Sequence, residues 1–380
     1  MKIKNIETNK ILNSDASWTI QTTITDEYDN KGSFSVPGGL SKGGKEATSI
    51  SPDNALVVIE DLKEELIGKS FKNQSDFDDF LIEKDGTDDK SELGSNTMLS
   101  LSGAFCRAEA KSKKLELYEH IHTILNPDIP LNDIKFAMPQ MMVLIFEGGL
   151  HGSGEASIQE FMAVCDTIPQ AVDIYKKAKK VLHDMGQSTN LGAEGAFSPA
   201  GMDNNMVLDT LTRVIKDEKI ALDVAANSFI ELKKDLPNYE ELIADYNILS
   251  IEDPYMEDQW NEWENFYRTY RSEVITVADD LTTTNPIHLA EAMRRNCANA
   301  IIIKPNQIGT ITETLDVIEL AQSKDWHIIV SHRGTDTNDD FIADLAVGSG
   351  AQFTKFGAPA RGERIAKYNR LLEIQRNILN

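Results

Sequence analysis

Glu194, Asp223, Glu252, Asp279, Lys304, His332 and Lys355 follow one another at intervals of 29, 29, 27, 25, 28 and 23 residues. Carboxylates, amines and an imidazole are the side chains of metal binding and of proton transfer. Asp223, Glu252 and Asp279 each offer a hard oxygen donor. With no cysteine and no obligatory histidine in the set, they suit Mg²⁺ better than zinc or copper. Three anions brought together without a cation would repel one another, so their convergence itself argues for metal. The plainer alternative is that each acid caps the helix after it, as Asp often does. Lys304 directly follows Ile301, Ile302 and Ile303. Desolvation there is expected to lower its pKa and suit it to act as a general base. A salt bridge to the carboxylates is the alternative role, and the two can coexist.

Five of the seven residues close or follow short apolar runs: Ile220 to Asp223, Ile248 to Glu252, Val274 to Asp279, Ala300 to Lys304 and Ile328 to His332. Each run is expected to be a buried strand ending in a charge. Segments of helical character lie between them, such as Pro286 to Arg295 and Thr312 to Gln322. Strand, helix and two loops take about 25 to 30 residues, so the interval is one βα unit. Parallel strands alternating with helices predict an α/β fold, a (β/α)₈-type barrel whose strand ends converge on one mouth. An open doubly wound sheet is the rival, but it binds at one switch point and needs no charge on every strand end.

A chain of 380 residues with 41% hydrophobics holds one barrel of about 250 residues and a smaller domain. The net charge of −23, with no Lys/Arg stripe, argues against a nucleic-acid partner. Cys106, Cys165 and Cys297 form no CxxC pair and no disulfide framework. No apolar stretch follows Met1-Lys2-Ile3-Lys4 and no run reaches membrane length, so no membrane partner is expected and the localisation expected is cytoplasmic.

The first 130 or so residues lack the βα interval. Val57 to Ile67 and Thr97 to Ala110 have helical patterning, and Trp18 to Asp26 alternates like a strand of a small antiparallel sheet. The expected division is an α+β capping domain over 1–130 and the barrel over 131–380, joined near Asn126-Pro127-Asp128-Ile129-Pro130. Val36 to Ala47 is glycine-rich, the composition of a loop that moves or merely connects.

The wording of several segments resembles the enolase (phosphopyruvate hydratase) family over nearly the whole chain. The most specific are Ser250-Ile251-Glu252-Asp253-Pro254, Ala278-Asp279-Asp280-Leu281, Ile303-Lys304-Pro305-Asn306-Gln307, Ser331-His332-Arg333 and Gly357-Ala358-Pro359-Ala360-Arg361. Collinear with them are Gly148-Gly149-Leu150-His151, Ile158-Gln159-Glu160-Phe161-Met162 and Glu194-Gly195. The resemblance implies Mg²⁺-dependent dehydration of 2-phosphoglycerate to phosphoenolpyruvate, with two Mg²⁺ per active site. Asp223, Glu252 and Asp279 would hold the first ion and Lys304 would take the C2 proton. Glu194 would protonate the leaving hydroxyl, assisted by Glu160 and His151. Gln159, His332 and Lys355 would lie at the substrate, a small anionic phospho-carboxylate, and Arg333 would clasp its phosphate. Ser41, on the glycine-rich segment, would close over the substrate and bind the second Mg²⁺. A lysine base beside carboxylate-held Mg²⁺ is the standard illustration of this superfamily's chemistry, so that agreement is not independent. A homodimer or larger homo-oligomer is also implied.

The chain departs from the family pattern in places. Asn13-Ser14-Asp15-Ala16-Ser17 lacks the usual arginine, and the segment Pro37 to Gly43 is altered. Ala193 stands where aspartate is usual, Glu147 where asparagine is usual and Gly334 where serine is usual. The chain is also several tens of residues shorter than the family norm. These changes spare the proton-transfer residues and touch the phosphate side. Two alternatives therefore accompany the main expectation: a paralogue acting on a phosphonate or modified analogue, and a non-catalytic binding protein.

Overall fold

The structure is a computed structural model, and it describes residues 1–39, 44–152 and 154–379. Three strands, β1 (Ile3–Leu12), β2 (Trp18–Asp26) and β3 (Lys31–Ser35), form an antiparallel sheet in the order β1-β2-β3. The alternation in β2 buries Ile20, Thr22 and Ile24 on one face. Helices α1 (Pro52–Leu66), α2 (Gln74–Asp85), α3 (Ser95–Ser112) and α4 (Leu117–Leu125) follow, and α3 crosses the sheet.

Two glycines permit that crossing. A Cβ on Gly32 would lie 2.1 Å from the Ala104 carbonyl oxygen, and one on Gly103 would lie 2.2 Å from the Phe34 ring. Backbone and ring thus meet where no side chain fits.

Eight further strands close into a barrel: β4 (Gln140–Glu147), β5 (Glu160–Cys165), β6 (Ile220–Asp223), β7 (Ile248–Glu252), β8 (Ile275–Ala278), β9 (Ala300–Ile303), β10 (His327–Ser331) and β11 (Phe353–Lys355). Met142, Leu144, Met162, Val277, Ile302 and Ile329 fill its interior in a cluster separate from the larger core outside. The barrel is therefore plugged, and only its rim is open to chemistry.

The expected strict βα alternation fails at the start of the barrel. Strand β5 runs antiparallel to both β4 and β6, while the remaining neighbours are parallel. Two helices in succession, α5 (Ile168–Asp184) and α6 (Asn204–Val214), then lead to β6. The inversion puts the first residue of β5, Glu160, at the rim where the other strands end. Glu194 lies between α5 and α6 rather than at a strand end, so its 29-residue interval to Asp223 is not a βα unit.

The small sheet's helices also hold a barrel helix. The fully buried Asp78 carboxylate of α2 accepts from the Thr312 N–H at 2.9 Å and its hydroxyl at 2.7 Å, at the start of the helix Ile311–Gln322. An anion there complements the helix dipole. Ser102 of α3 accepts from the Ile311 N–H at 2.9 Å. The helix that follows Lys304 is thereby pinned from outside the barrel.

Gly32→Ala is expected to destabilise the protein by at least the ~1–3 kcal/mol of an overpacked core, with Gly103→Ala similar. Chemical denaturation midpoints check this; losses within about 0.5 kcal/mol, the range of a neutral surface change, would mean that α3 does not lie this close to the sheet.

Candidate active site

Register draws four carboxylates into line around the rim. Glu147 of β4 pairs with Glu160 of β5, Glu160 with Asp223 of β6, and Asp223 with Glu252 of β7. All four are buried, as are Asp279 and Glu194. Asp279 follows β8, whose Val277 is in register with Glu252. The N-cap positions of the following helical segments are Ala225, Gln259 and Asn285, of which only Asn285 makes a side-chain cap, so capping does not explain Asp223, Glu252 or Asp279.

Two buried ammonium groups answer these anions. Lys355 Nζ lies 2.7 Å from Asp223, 2.8 and 2.9 Å from the Glu252 oxygens and 3.2 Å from Glu160. Burial opposes its charge, yet Asp223, Glu160 and Glu252 raise its pKa well above the lysine range. Burial, and then Asp223, pushes the Glu252 carboxyl well up, and Lys355 offsets part of that.

Lys304 Nζ donates to Asp279 Oδ2. The expected lowering of its pKa does not occur: burial pulls it down, but the surrounding carboxylates, Asp279 foremost and Glu252 beyond it, together raise it. The same contact holds the Asp279 carboxyl below its ordinary range despite burial. Gln307 steadies the pair, donating at 3.2 Å to Asp279 Oδ1 while accepting from the Thr284 hydroxyl at 2.7 Å.

Across the mouth, His151 Nδ1 lies 3.9 Å from both Glu160 and Glu194. His332 Nε2 lies 2.9 Å from Glu194 Oε2. Arg364, fully buried, points Nη1 at His332 Nδ1 at 2.7 Å. A guanidinium can only donate, so Nδ1 accepts and Nε2 carries the imidazole proton toward Glu194. Burial lowers the His332 pKa to about 4, so the ring is neutral. Burial would raise Glu194, but His332 beside it leaves that carboxyl well below its usual range.

Arg333 forms a two-pronged pair with Glu46 at 3.1 to 3.2 Å and donates to Asn306 Oδ1 at 3.3 Å. Gly334 and Gln159 line the same cavity of about 470 Å³, together with His151, Glu160, Glu194, Asp223, Asp279, Lys304, His332, Arg333 and Lys355. Ser41 falls outside the described residues. Sequence reasoning passes over Glu46, Gln307 and Arg364. Gln307 sits inside a quoted motif, whereas Arg364 belongs to the helix Gly362–Leu379 and carries no local signal.

The residues suit a hard divalent cation. Asp223, Glu252 and Asp279 are oxygen donors on adjacent strand ends. Asp223 Oδ1 is buried with no hydrogen-bond partner among the described residues, the kind of orphaned acceptor a cation satisfies. Among the described residues, however, the three carboxylates whose oxygens lie within 4.8 Å of one another are Asp253, Asp279 and Asp280, while Asp223 and Glu252 are held together by Lys355 instead.

Comparison with known proteins agrees with this architecture. Residues 3–121 match the family described as Enolase, N-terminal domain, and residues 135–238 and 232–380 match Enolase, C-terminal TIM barrel domain. The chain is 36% identical over 420 residues to the enolase of a Nitratiruptor species, covering 99% of this chain and 97% of that one. It is 33% identical over 411 residues to the enolase of Elusimicrobium minutum, with 99% and 96% covered. The enolase of Neorickettsia sennetsu is 32% identical over 410 residues, with 98% of each covered.

Lys355→Met should strand three buried carboxylates and cost about 3–5 kcal/mol in EDTA. A hard divalent cation at a hundredfold excess over its Kd should return about 2.7 kcal/mol. Denaturation with and without the cation checks this. Equal cation-induced gains in a protein lacking Asp223, Glu252 and Asp279 carboxylates would place the cation elsewhere.

Proposed function

The chain belongs to the enolase family of hydro-lyases, and on that premise we propose that it dehydrates 2-phosphoglycerate to phosphoenolpyruvate with Mg²⁺. The observation that carries this reading is the order of strands around the rim. In the ring β10-β11-β4-β5-β6-β7-β8-β9, the strand preceding Lys304 and the strand beginning with Glu160 are four apart, on opposite sides of an eight-stranded barrel. A base on one side and an acid cluster on the other suit removal of a proton and a hydroxyl from adjacent carbons.

In this reading Lys304 takes the C2 proton in its neutral form, which requires the Asp279 carboxylate that raises its pKa to be engaged elsewhere, as it would be in holding a cation. The C2–H electron pair passes first to the substrate carboxylate and then becomes the C2=C3 double bond as the C3–O bond breaks. Glu194 gives the departing hydroxyl the proton that makes it water; because its carboxyl is held below the usual range, that proton must first reach it from the Glu160 and His151 side, with His332 orienting the carboxyl. Lys355 and Gln159 lie at the substrate, and Arg333 exchanges Glu46 for the phosphate, which a planar guanidinium also binds in two-pronged fashion. Asp223, Glu252 and Asp279 would hold Mg²⁺, with Ser41 toward a second ion. When bound, Mg²⁺ supplies positive charge beside the substrate carboxylate as electron density moves onto it. Residues 1–130 act as the capping domain and 131–380 as the catalytic barrel, in a cytoplasmic homodimer or larger homo-oligomer. No helix among the described residues is long and apolar enough to cross a membrane.

Purified protein with 2-phosphoglycerate and Mg²⁺ should show growth of the enol absorbance that EDTA stops. Lys304→Ala should reduce kcat by roughly 10² to 10⁴ while leaving folding intact. Unchanged turnover would remove Lys304 as the base. Because Gly334 offers no hydroxyl to a phosphate, a phosphonate analogue belongs in the same assay; a much higher kcat/KM for it would displace 2-phosphoglycerate as the substrate.

A further inference from the structure

Glu147 closes β4 and is 2% exposed, yet the proton-transfer scheme gives it no part. Both of its oxygens accept from the Glu194 N–H at 3.1 Å, and Oε1 also accepts from the Ala196 N–H at 2.7 Å. Gly192 makes room for it, since a Cβ there would lie 2.4 Å from Glu147 Oε2. Further bonds hold the same loop, among them the Glu147 N–H to Phe197 O at 2.9 Å, Gly192 N–H to Ala196 O at 2.9 Å, Ala193 N–H to His151 O at 3.2 Å, the Tyr175 hydroxyl to Gly195 O at 2.7 Å and Arg361 Nη2 to Gly192 O at 2.8 Å. Of these partners, only Glu147 binds the backbone N–H of the acid itself. Burial, and then the nearby Glu194 carboxylate, pushes its pKa up to about 8. A second buried acid so close to the first is costly, and that cost calls for a compensating role.

The sequence offers a reason for its presence. Residue 193, from which a side chain could reach the loop's own N–H groups, is alanine. An Asp side chain at 193 could turn back and accept an N–H two or three residues on, as Asx turns do. Alanine cannot. Glu147 reaches the same stretch of backbone from the adjacent strand and accepts the 194 and 196 N–H groups instead.

We propose that Glu147 is a positioning residue for Glu194, supplying from β4 the loop-holding carboxylate that Ala193 cannot supply from within the loop. The loop of residues 192–196 thereby has one carboxylate beneath it, and positions 147 and 193 should be able to exchange that acid. The inference rests on the proposed function for its kinetic readout, but the exchange itself also has a stability readout that needs no substrate.

The test compares Glu147→Asn, Ala193→Asp and the double variant with the unaltered protein, by 2-phosphoglycerate kinetics with Mg²⁺ and by thermal melting. Glu147→Asn should lower kcat at least about tenfold with KM changed less than about threefold, since it displaces the acid and not the binding groups. Ala193→Asp alone should melt lower, because it adds a third carboxylate to Glu147 and Glu194. The double variant should return kcat to within about threefold of the unaltered protein and melt above both single variants. If Glu147→Asn does not fold, a folded and active double variant still supports the exchange, and an unfolded one overturns it. Kinetic losses that simply multiply, or melting losses that simply add, overturn it too. If the unaltered protein does not turn over 2-phosphoglycerate, the proposed function fails, and recovery or loss of melting temperature in the double variant alone decides the role of Glu147.

Discussion

Burying many like charges in one place is the constraint on which this structure turns. Six carboxylates, Glu147, Glu160, Glu194, Asp223, Glu252 and Asp279, lie buried at one rim of the barrel. Each would be strongly unfavourable alone in a dry site. Lys355 is shared among three of them and Lys304 holds Asp279. His332 faces Glu194, and backbone N–H groups occupy Glu147. The balance is local but partly shared: Lys355 serves three acids, whereas Lys304 and His332 each serve one.

The fold meets this constraint by controlling which strand ends face one another. Inverting β5 brings Glu160 to the rim and sets Glu147, Glu160, Asp223 and Glu252 in adjacent register. The plugged interior beneath leaves these groups no inward escape. From outside, Asp78 and Ser102 pin the helix that follows the Lys304 segment. Arg364 reaches from the last helix to fix the tautomer of the His332 ring. Proton-transfer groups need such rigid support, since small displacements are expensive in rate.

Much of this is legible in the sequence because parallel strands ending in charge repeat visibly. Asp223, Lys304, His332 and Lys355 can be found from apolar runs, spacing or motif, and they meet at one cavity. Glu252 is found the same way and joins them through Lys355. Glu160 escapes the spacing because β5 runs backwards, and only the motif around it marks it. Glu194 fits the spacing by coincidence, since it lies on the connection between α5 and α6. The Lys304 pKa moves opposite to expectation because isoleucines in sequence reveal burial but not the carboxylate that Asp279 brings from the neighbouring strand end. Arg364 has no sequence signal at all, as a buried arginine within a charged helix looks like any solvated one. Glu147 is marked in the sequence only as a departure from the pattern the chain resembles, and its contacts with the 194 and 196 N–H groups are visible only in the structure.

The division of labour across the rim is tested most directly by separating its two halves in time. NMR of 2-phosphoglycerate in D₂O with Mg²⁺ and Glu194→Gln protein would follow deuterium at C2 alongside phosphoenolpyruvate. Deuterium should enter at C2 while product formation falls by roughly 10² or more, because Lys304 still removes the proton but the leaving hydroxyl has lost its acid. Product formed at the unaltered rate, or no exchange in protein that demonstrably binds substrate, would contradict the assignment of base and acid to opposite sides of the barrel.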